Sequence, residues 1–159
     1  MSVHFKAMIR EGYWVKIYVK STSSEKFSYW HHGIISSISG NDINVIHFTS
    51  SKSDNKRVIR ETNLDWFLQC GENPEVVTDY EPSYEFNEIV KRARSHIGKG
   101  EYDLPTRNCE HFASWCYTGK AFSKQIYTIG SVMVVLSIGV GTIGALMGGL
   151  IMLGARRSW

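Results

Sequence analysis

From Gln125 to Ala155 the chain carries 31 consecutive residues without a charge, dominated by Ile, Val, Leu, Met and Gly, and it ends in Arg156-Arg157-Ser158-Trp159. No other stretch constrains the fold so strongly. About 20 apolar residues suffice to cross a bilayer as a helix, whereas a core helix of a globular domain keeps a polar face. The run is therefore expected to be a single-pass transmembrane tail anchor over 125–155, with a short basic tail at 156–159 and one domain over 1–124. Ser137, Gly141, Ala145 and Gly149 recur at every fourth position of the run. Such a stripe lets helices approach closely in lipid and supports self-association; a flexible glycine-rich anchor without a partner fits the same residues equally well.

The net charge of +3 over 159 residues is too mild to argue for nucleic acid. Three cysteines, odd in number and without paired spacing, do not make a disulfide framework. Met1 to Arg10 holds no apolar run of the signal-peptide kind, and the chain has no Asn-X-Ser/Thr sequon. The expected home is a membrane, with the domain facing the reducing cytosol.

Within that domain, Tyr29-Trp30-His31-His32-Gly33-Ile34-Ile35 and Ile43-Asn44-Val45-Ile46-His47-Phe48 read as strands, and Ser39-Gly40-Asn41-Asp42 between them is a cluster of turn formers. They form a hairpin. Gly12 to Val19 alternates as a first strand, with Trp14 and Lys16 on one side and Val15 and Ile17 on the other. Arg57 to Glu61 reads as a short strand and Asn63 to Leu68 as a capped helical turn. Ser83 to Ile97 reads as an amphipathic helix stopped by Gly98.

Asn108-Cys109-Glu110-His111-Phe112 sets a cysteine at the opening of a helix, behind a residue of the N-cap type. A thiol in the first turn feels exposed backbone N–H groups and the positive end of the helix dipole, which favour thiolate, and the same N–H groups suit an oxyanion. His111 is a poor base for it. Two residues along a helix turn the side chain by about 200°, so His111 serves packing or a hydrogen bond. An imidazole from the hairpin, oriented by a second one on the neighbouring strand, meets the requirement better. Cys116 reads as a small apolar core residue. Neither Cys70 nor Cys116 has a ligand-spaced partner, and no acid or thiol joins the histidines, so no metal or cofactor is expected.

His-His-Gly-Ile-Ile, Val-Ile-His-Phe and Asn-Cys-Glu-His-Phe, in that order, resemble the lecithin:retinol acyltransferase-like (NC-domain) family. Within it the chain looks most like the small tail-anchored phospholipase A/acyltransferases. The resemblance runs from about Gly12 to Gln125. It implies Cys109 as nucleophile, His31 as base and His47 as the third polar member, with His32 on the position that is aromatic in the family. Sixteen residues separate His31 from His47, more than the family's usual spacing, so the turn at Ser39 to Asp42 is expected to be enlarged. Ile35 replaces an aromatic, and the family's proline-rich lead-in is missing before Gly12.

The fold so implied is α+β, a small antiparallel sheet packed on helices in a permuted papain-like, NlpC-like cysteine hydrolase arrangement. The function implied is a thiol-dependent phospholipid acyl hydrolase/acyltransferase working through an acyl-cysteine, with a membrane phospholipid as acyl donor and water, an amine or a hydroxyl as acceptor. A non-enzymatic membrane-bound interaction protein and an NlpC-type amidase or peptidase are the alternatives.

Overall fold

Apolar alternation in the first half of the chain resolves into a five-stranded antiparallel sheet. The computed structural model describes residues 2–20, 28–50, 57–100, 107–128 and 156–157. Strands β1 (Trp14–Val19), β2 (Tyr29–Ser39), β3 (Asp42–Ser50), β4 (Arg57–Asn63) and β5 (Glu72–Val76) lie in the order β4-β3-β2-β1-β5. Helices α1 (Ser2–Met8), α2 (Leu64–Leu68), α3 (Phe86–Arg94) and α4 (Cys109–Thr118) accompany them. The architecture is α+β.

Both faces of the sheet are covered. Trp14, Ile34, Ile46, Phe48 and Ile59 pack with Ile89 and Ala93 of α3 and with Cys109, Phe112, Ala113 and Cys116 of α4. Val15, Ile17, Ile35 and Val45 pack on the other side with Phe5 of α1 and Leu64 and Phe67 of α2. Adjacent residues of β2 are therefore buried on opposite sides, and the strand reads as a continuous apolar run at Ile34 and Ile35, each 0% exposed.

The β2–β3 hairpin is tighter than expected. Ser39 pairs with Asp42, so the turn is only Gly40 and Asn41, with Gly40 at φ +59° in the left-handed region that two-residue hairpin turns require. The additional residues between His31 and His47 lengthen the strands instead, and a register shift between Ile35 and Ser37 takes up one of them. α3 is also shorter than its periodicity suggested, with Phe86 and Ile97 left exposed at the two ends of that segment. Asn63 caps α2 as anticipated, its side chain accepting from the N–H of Asp65.

α1 and β5 have no counterpart in the sequence reading, nor does the short pairing of Ala121–Phe122 with Arg156–Arg157. α1 closes the Val15 face. β5, Glu-Asn-Pro-Glu-Val, is a poor strand sequence that survives as an edge strand, where a proline is tolerated. Lys16–Glu75 and Lys20–Glu72 ion pairs, at 3.0 and 2.6 Å, tie it to β1 and the residue following it. Its ladder skips Asn73 and Pro74.

Residues 124–128 are helical, and Ile126 is 4% exposed against the domain. β6 (Ala121–Phe122) pairs with β7 (Arg156–Arg157). Among the described residues no helix is long and apolar enough to cross a membrane. Residues 129–155, including the stripe of small residues from Ser137 to Gly149, lie outside the described residues.

Candidate active site

Asn108 opens α4 with a complete capping box. Its Oδ1 accepts from the N–H groups of Glu110 and His111, at 2.9 and 3.0 Å, and Nδ1 of His111 accepts from the N–H of Asn108 at 3.5 Å. His111 is thus a buried capping residue turned away from Cys109. The cap occupies two of the first-turn N–H groups, those of Glu110 and His111, and leaves that of Cys109 outside it.

Cys109, the first residue of α4, is 3% exposed. Its Sγ lies 3.8 Å from the carbonyl oxygen of Trp30. That contact falls on a part of β2 that β3 has left: the β2–β3 ladder ends at Gly33 opposite His47. Cys109 therefore meets the sheet at an opened edge. Backbone N–H groups of His32, Glu110 and Cys109 itself favour the thiolate, but burial outweighs them and pushes the thiol up to about 12. The raised thiol acidity expected from the helix start is offset by desolvation, which disfavours the charged form.

His31 and His47 are brought together. Nε2 of His31 is 2.8 Å from Nδ1 of His47, whose Nε2 is 2.8 Å from Oγ1 of Thr62. The rings stand at 73° and pack against Phe67. Burial lowers His31 to about 3, helped by the neighbouring charges of His32 and Arg57, and burial and His31 hold His47 well below the ordinary histidine range. Two proton assignments keep both rings neutral. In one, Nε2–H of His31 donates to His47 and Nε2–H of His47 donates to Thr62, leaving Nδ1 of His31 with a free lone pair. In the other the sense is reversed, and His31 presents an N–H.

This pair sits on the Phe67 face of the sheet, opposite the face that α4 covers. His32 shares the α4 face. Its Nδ1 accepts from Nε1–H of Trp14 at 2.9 Å, and its Nε2 is 3.3 Å from Nε2 of Gln125. Burial, then the Lys16 charge, lowers it to about 3. Helix α4 and the His31–His47 pair thus meet only at the sheet edge, where Cys109 stands beside Trp30.

Sequence reasoning missed four participants: Thr62 behind His47, Trp14 on His32, and the pair Glu110 and Gln125. The last two stood inside or beside the motif stretches, yet nothing in residue spacing announces that they meet. Cys116 is buried as a core residue, and Sγ of the half-buried Cys70 donates to the Trp66 carbonyl at 3.6 Å. Among the described residues no group of three or more His, Cys, Asp or Glu side chains is placed to hold a metal ion.

A family model described as lecithin retinol acyltransferase matches residues 10–122. The chain belongs to that family. The match takes in all five strands of the sheet, α4, Cys109 and the three histidines of the hairpin. A search of curated proteins returns no match. For a lecithin retinol acyltransferase family member the class of chemistry is acyl transfer or acyl hydrolysis.

Proposed function

We propose that this chain is a phospholipid acyl hydrolase/acyltransferase that works through an acyl-cysteine on Cys109. The observation that carries the reading is the opened edge of β2. There a buried thiol at a helix start stands beside the residue preceding His31, while Nε2 of His31 is engaged by His47 and its Nδ1 faces no competing bond under the first assignment above. The sheet followed by the cysteine helix supports a permuted papain-like arrangement.

In the proposed cycle Sγ of Cys109 turns from the Trp30 carbonyl and gives its proton to Nδ1 of His31 as it attacks the ester carbonyl carbon. The carbonyl π electrons move to oxygen, then return to expel the lysolipid alkoxide, which takes the proton from His31. The acyl group is left as a thioester. Water, an amine or a hydroxyl then gives its proton to His31 and attacks the thioester carbonyl carbon, the C–S bond breaks to release the acylated product, and the proton passes from His31 to Sγ, restoring the thiol. His47 and Thr62 hold the His31 ring in its working tautomer. Because the resting thiol and imidazole are both neutral, the proton moves with the attack and not ahead of it.

The donor is assigned as a membrane phospholipid from the uncharged tail and the family. A tail that crosses the bilayer has to release the β6–β7 ladder, which has only two residue pairs. Such bonds contribute about 1 kcal/mol each. Leu, Ile and Val favour insertion by roughly 0.3–0.6 kcal/mol apiece, and the run from 129 to 155 holds twelve of them, so insertion prevails. The domain then faces the cytosol.

Mass spectrometry of the protein after incubation with a phospholipid tests the reading. An acyl adduct on Cys109, lost together with turnover in a folded Cys109→Ala protein, is expected. An adduct on Cys70 or Cys116, or an active Cys109→Ala protein, overturns it.

A further inference from the structure

We propose that Glu110 and Gln125 are positioning residues that clamp the opened edge of β2 and thereby set the approach of Cys109 to the base. The inference rests on the function proposed above. Its origin is a backbone requirement. The N–H of Gly12 donates to the Ile35 carbonyl and the N–H of Ile35 donates to the Tyr13 carbonyl, at 2.8 and 2.9 Å, so the main-chain groups of the odd residues of β2 face β1. Those of Trp30 and His32 consequently face the other edge, where β3 has already departed. Buried backbone groups have to find partners.

Gln125 supplies them to Trp30. Its Oε1 accepts from the N–H of Trp30 at 2.6 Å and its Nε2 donates to the Trp30 carbonyl at 3.0 Å, so one side-chain amide stands in for a missing strand. The orientation of that amide is fixed by Glu110. Nε2 of Gln125 donates to Oε2 of Glu110 at 3.1 Å, and an amide turned the other way would bring oxygen against two oxygens. The two hydrogens on Nε2 are then fully used, and the 3.3 Å approach to Nε2 of His32 is a contact without a proton to share. Glu110 is itself immobilised. It is 4% exposed and accepts from Ser123 Oγ at 2.6 Å, from the N–H of Lys124 at 3.1 Å and from that of Gln125 at 3.2 Å.

A closed ring results. Cys109 is bonded covalently to Glu110, Glu110 holds Gln125, Gln125 holds Trp30, and Trp30 is bonded covalently to His31. Sγ of Cys109 and Nε2 of Gln125 share the same Trp30 carbonyl. Opening the ring at Gln125 frees the strand that carries His31 from the helix that carries Cys109, while both residues keep their own surroundings.

The test is the pH profile of Cys109 alkylation by iodoacetamide, followed by mass spectrometry on the full chain in detergent micelles, which needs no lipid substrate. Gln125→Met keeps the length and removes the amide; Gln125→Asn keeps the amide one methylene short of Trp30. Misplacing a reacting group by about 1 Å costs on the order of 100-fold. Each variant should lower kcat on a short-chain ester by about 10- to 100-fold with KM nearly unchanged, and its alkylation profile should move to that of His31→Ala. Glu110→Gln, which keeps one oxygen for Gln125 but turns an amide NH2 on the N–H of Lys124, should lower kcat in the same direction and less far than Gln125→Met does. A wild-type profile and kcat in a folded Gln125→Met protein, or in Gln125→Asn should Gln125→Met not fold, overturns the clamp. If instead wild type and His31→Ala share one profile, the assignment of His31 as base fails and takes the clamp with it.

Discussion

Replacing His32 with Phe should make stability less dependent on pH without removing the chemistry. His32 is buried and neutral, lowered from 6.5 to about 3. A histidine depressed on folding contributes stability that is complete above its unfolded value and is lost as pH falls toward the folded one. Between pH 6.5 and 3 the loss is about 1.4 kcal/mol per pH unit, or about 2 kcal/mol at pH 5. Phe escapes this loss but leaves Nε1–H of Trp14, which donates to His32, without an acceptor. An orphaned buried donor costs about 1–3 kcal/mol at any pH. The variant should therefore be about 2 kcal/mol less stable than wild type at pH 7.5, equal near pH 5 and the more stable protein at pH 4.5. Urea unfolding followed by tryptophan fluorescence at half-unit pH steps gives both curves. Parallel curves from pH 6.5 to 4.5 would show that His32 does not fold as a buried neutral imidazole. The same variant should keep much of its activity, since His32 lies on the α4 face with Nδ1 occupied by Trp14, away from the His31–His47 pair.

Activity of His31→Ala should fall most and that of His47→Gln to an intermediate level, measured as kcat/KM on one phospholipid; an active His31→Ala protein beside a dead His32→Phe protein would move the base to the α4 face. A chain ending after Thr128 should become soluble yet still hydrolyse dispersed short-chain lipid, and the full chain should resist carbonate extraction; release of the full chain would refute the anchor. Ending the chain at Lys124 should also lower kcat at least as far as Gln125→Met does, because Gln125 is lost with the tail. Gly12→Ala should destabilise the fold by about 2–4 kcal/mol, combining the left-handed backbone penalty with overpacking, since Gly12 has φ +83° and an added Cβ would stand 2.6 Å from the Phe86 carbonyl oxygen; unchanged urea unfolding would count against the contact.

Local signals were legible where one residue type decides the outcome. Asn108 as cap, His111 facing away from the thiol and serving a hydrogen bond or packing, Asn63 before α2 and the two-strand reading around Gly40 all follow from short-range chemistry, and the structure contains each. β5 was not legible because Asn73 and Pro74 argue against a strand, and what holds it is pairing with the distant β1 together with the Lys16 and Lys20 ion pairs. The length of the hairpin turn was misjudged for a related reason: a spacing of sixteen residues is the same number whether turn or strand absorbs it.

By itself the sequence determined an antiparallel hairpin bearing three histidines, a capped helix opening on Cys109 and an uncharged run of 31 residues, because each depends on neighbours within a turn or a strand. Which face of the sheet each histidine occupies, relative to α4, was decided only by the tertiary structure. Both faces of β2 are apolar, so alternation could not distinguish the side that α4 covers from the side that Phe67 covers. Thiol acidity was likewise a tertiary property. The helix start favours thiolate by a local field, but the sheet, α4 and the Gln125 turn together exclude water from Cys109, and loss of solvation outweighs that field.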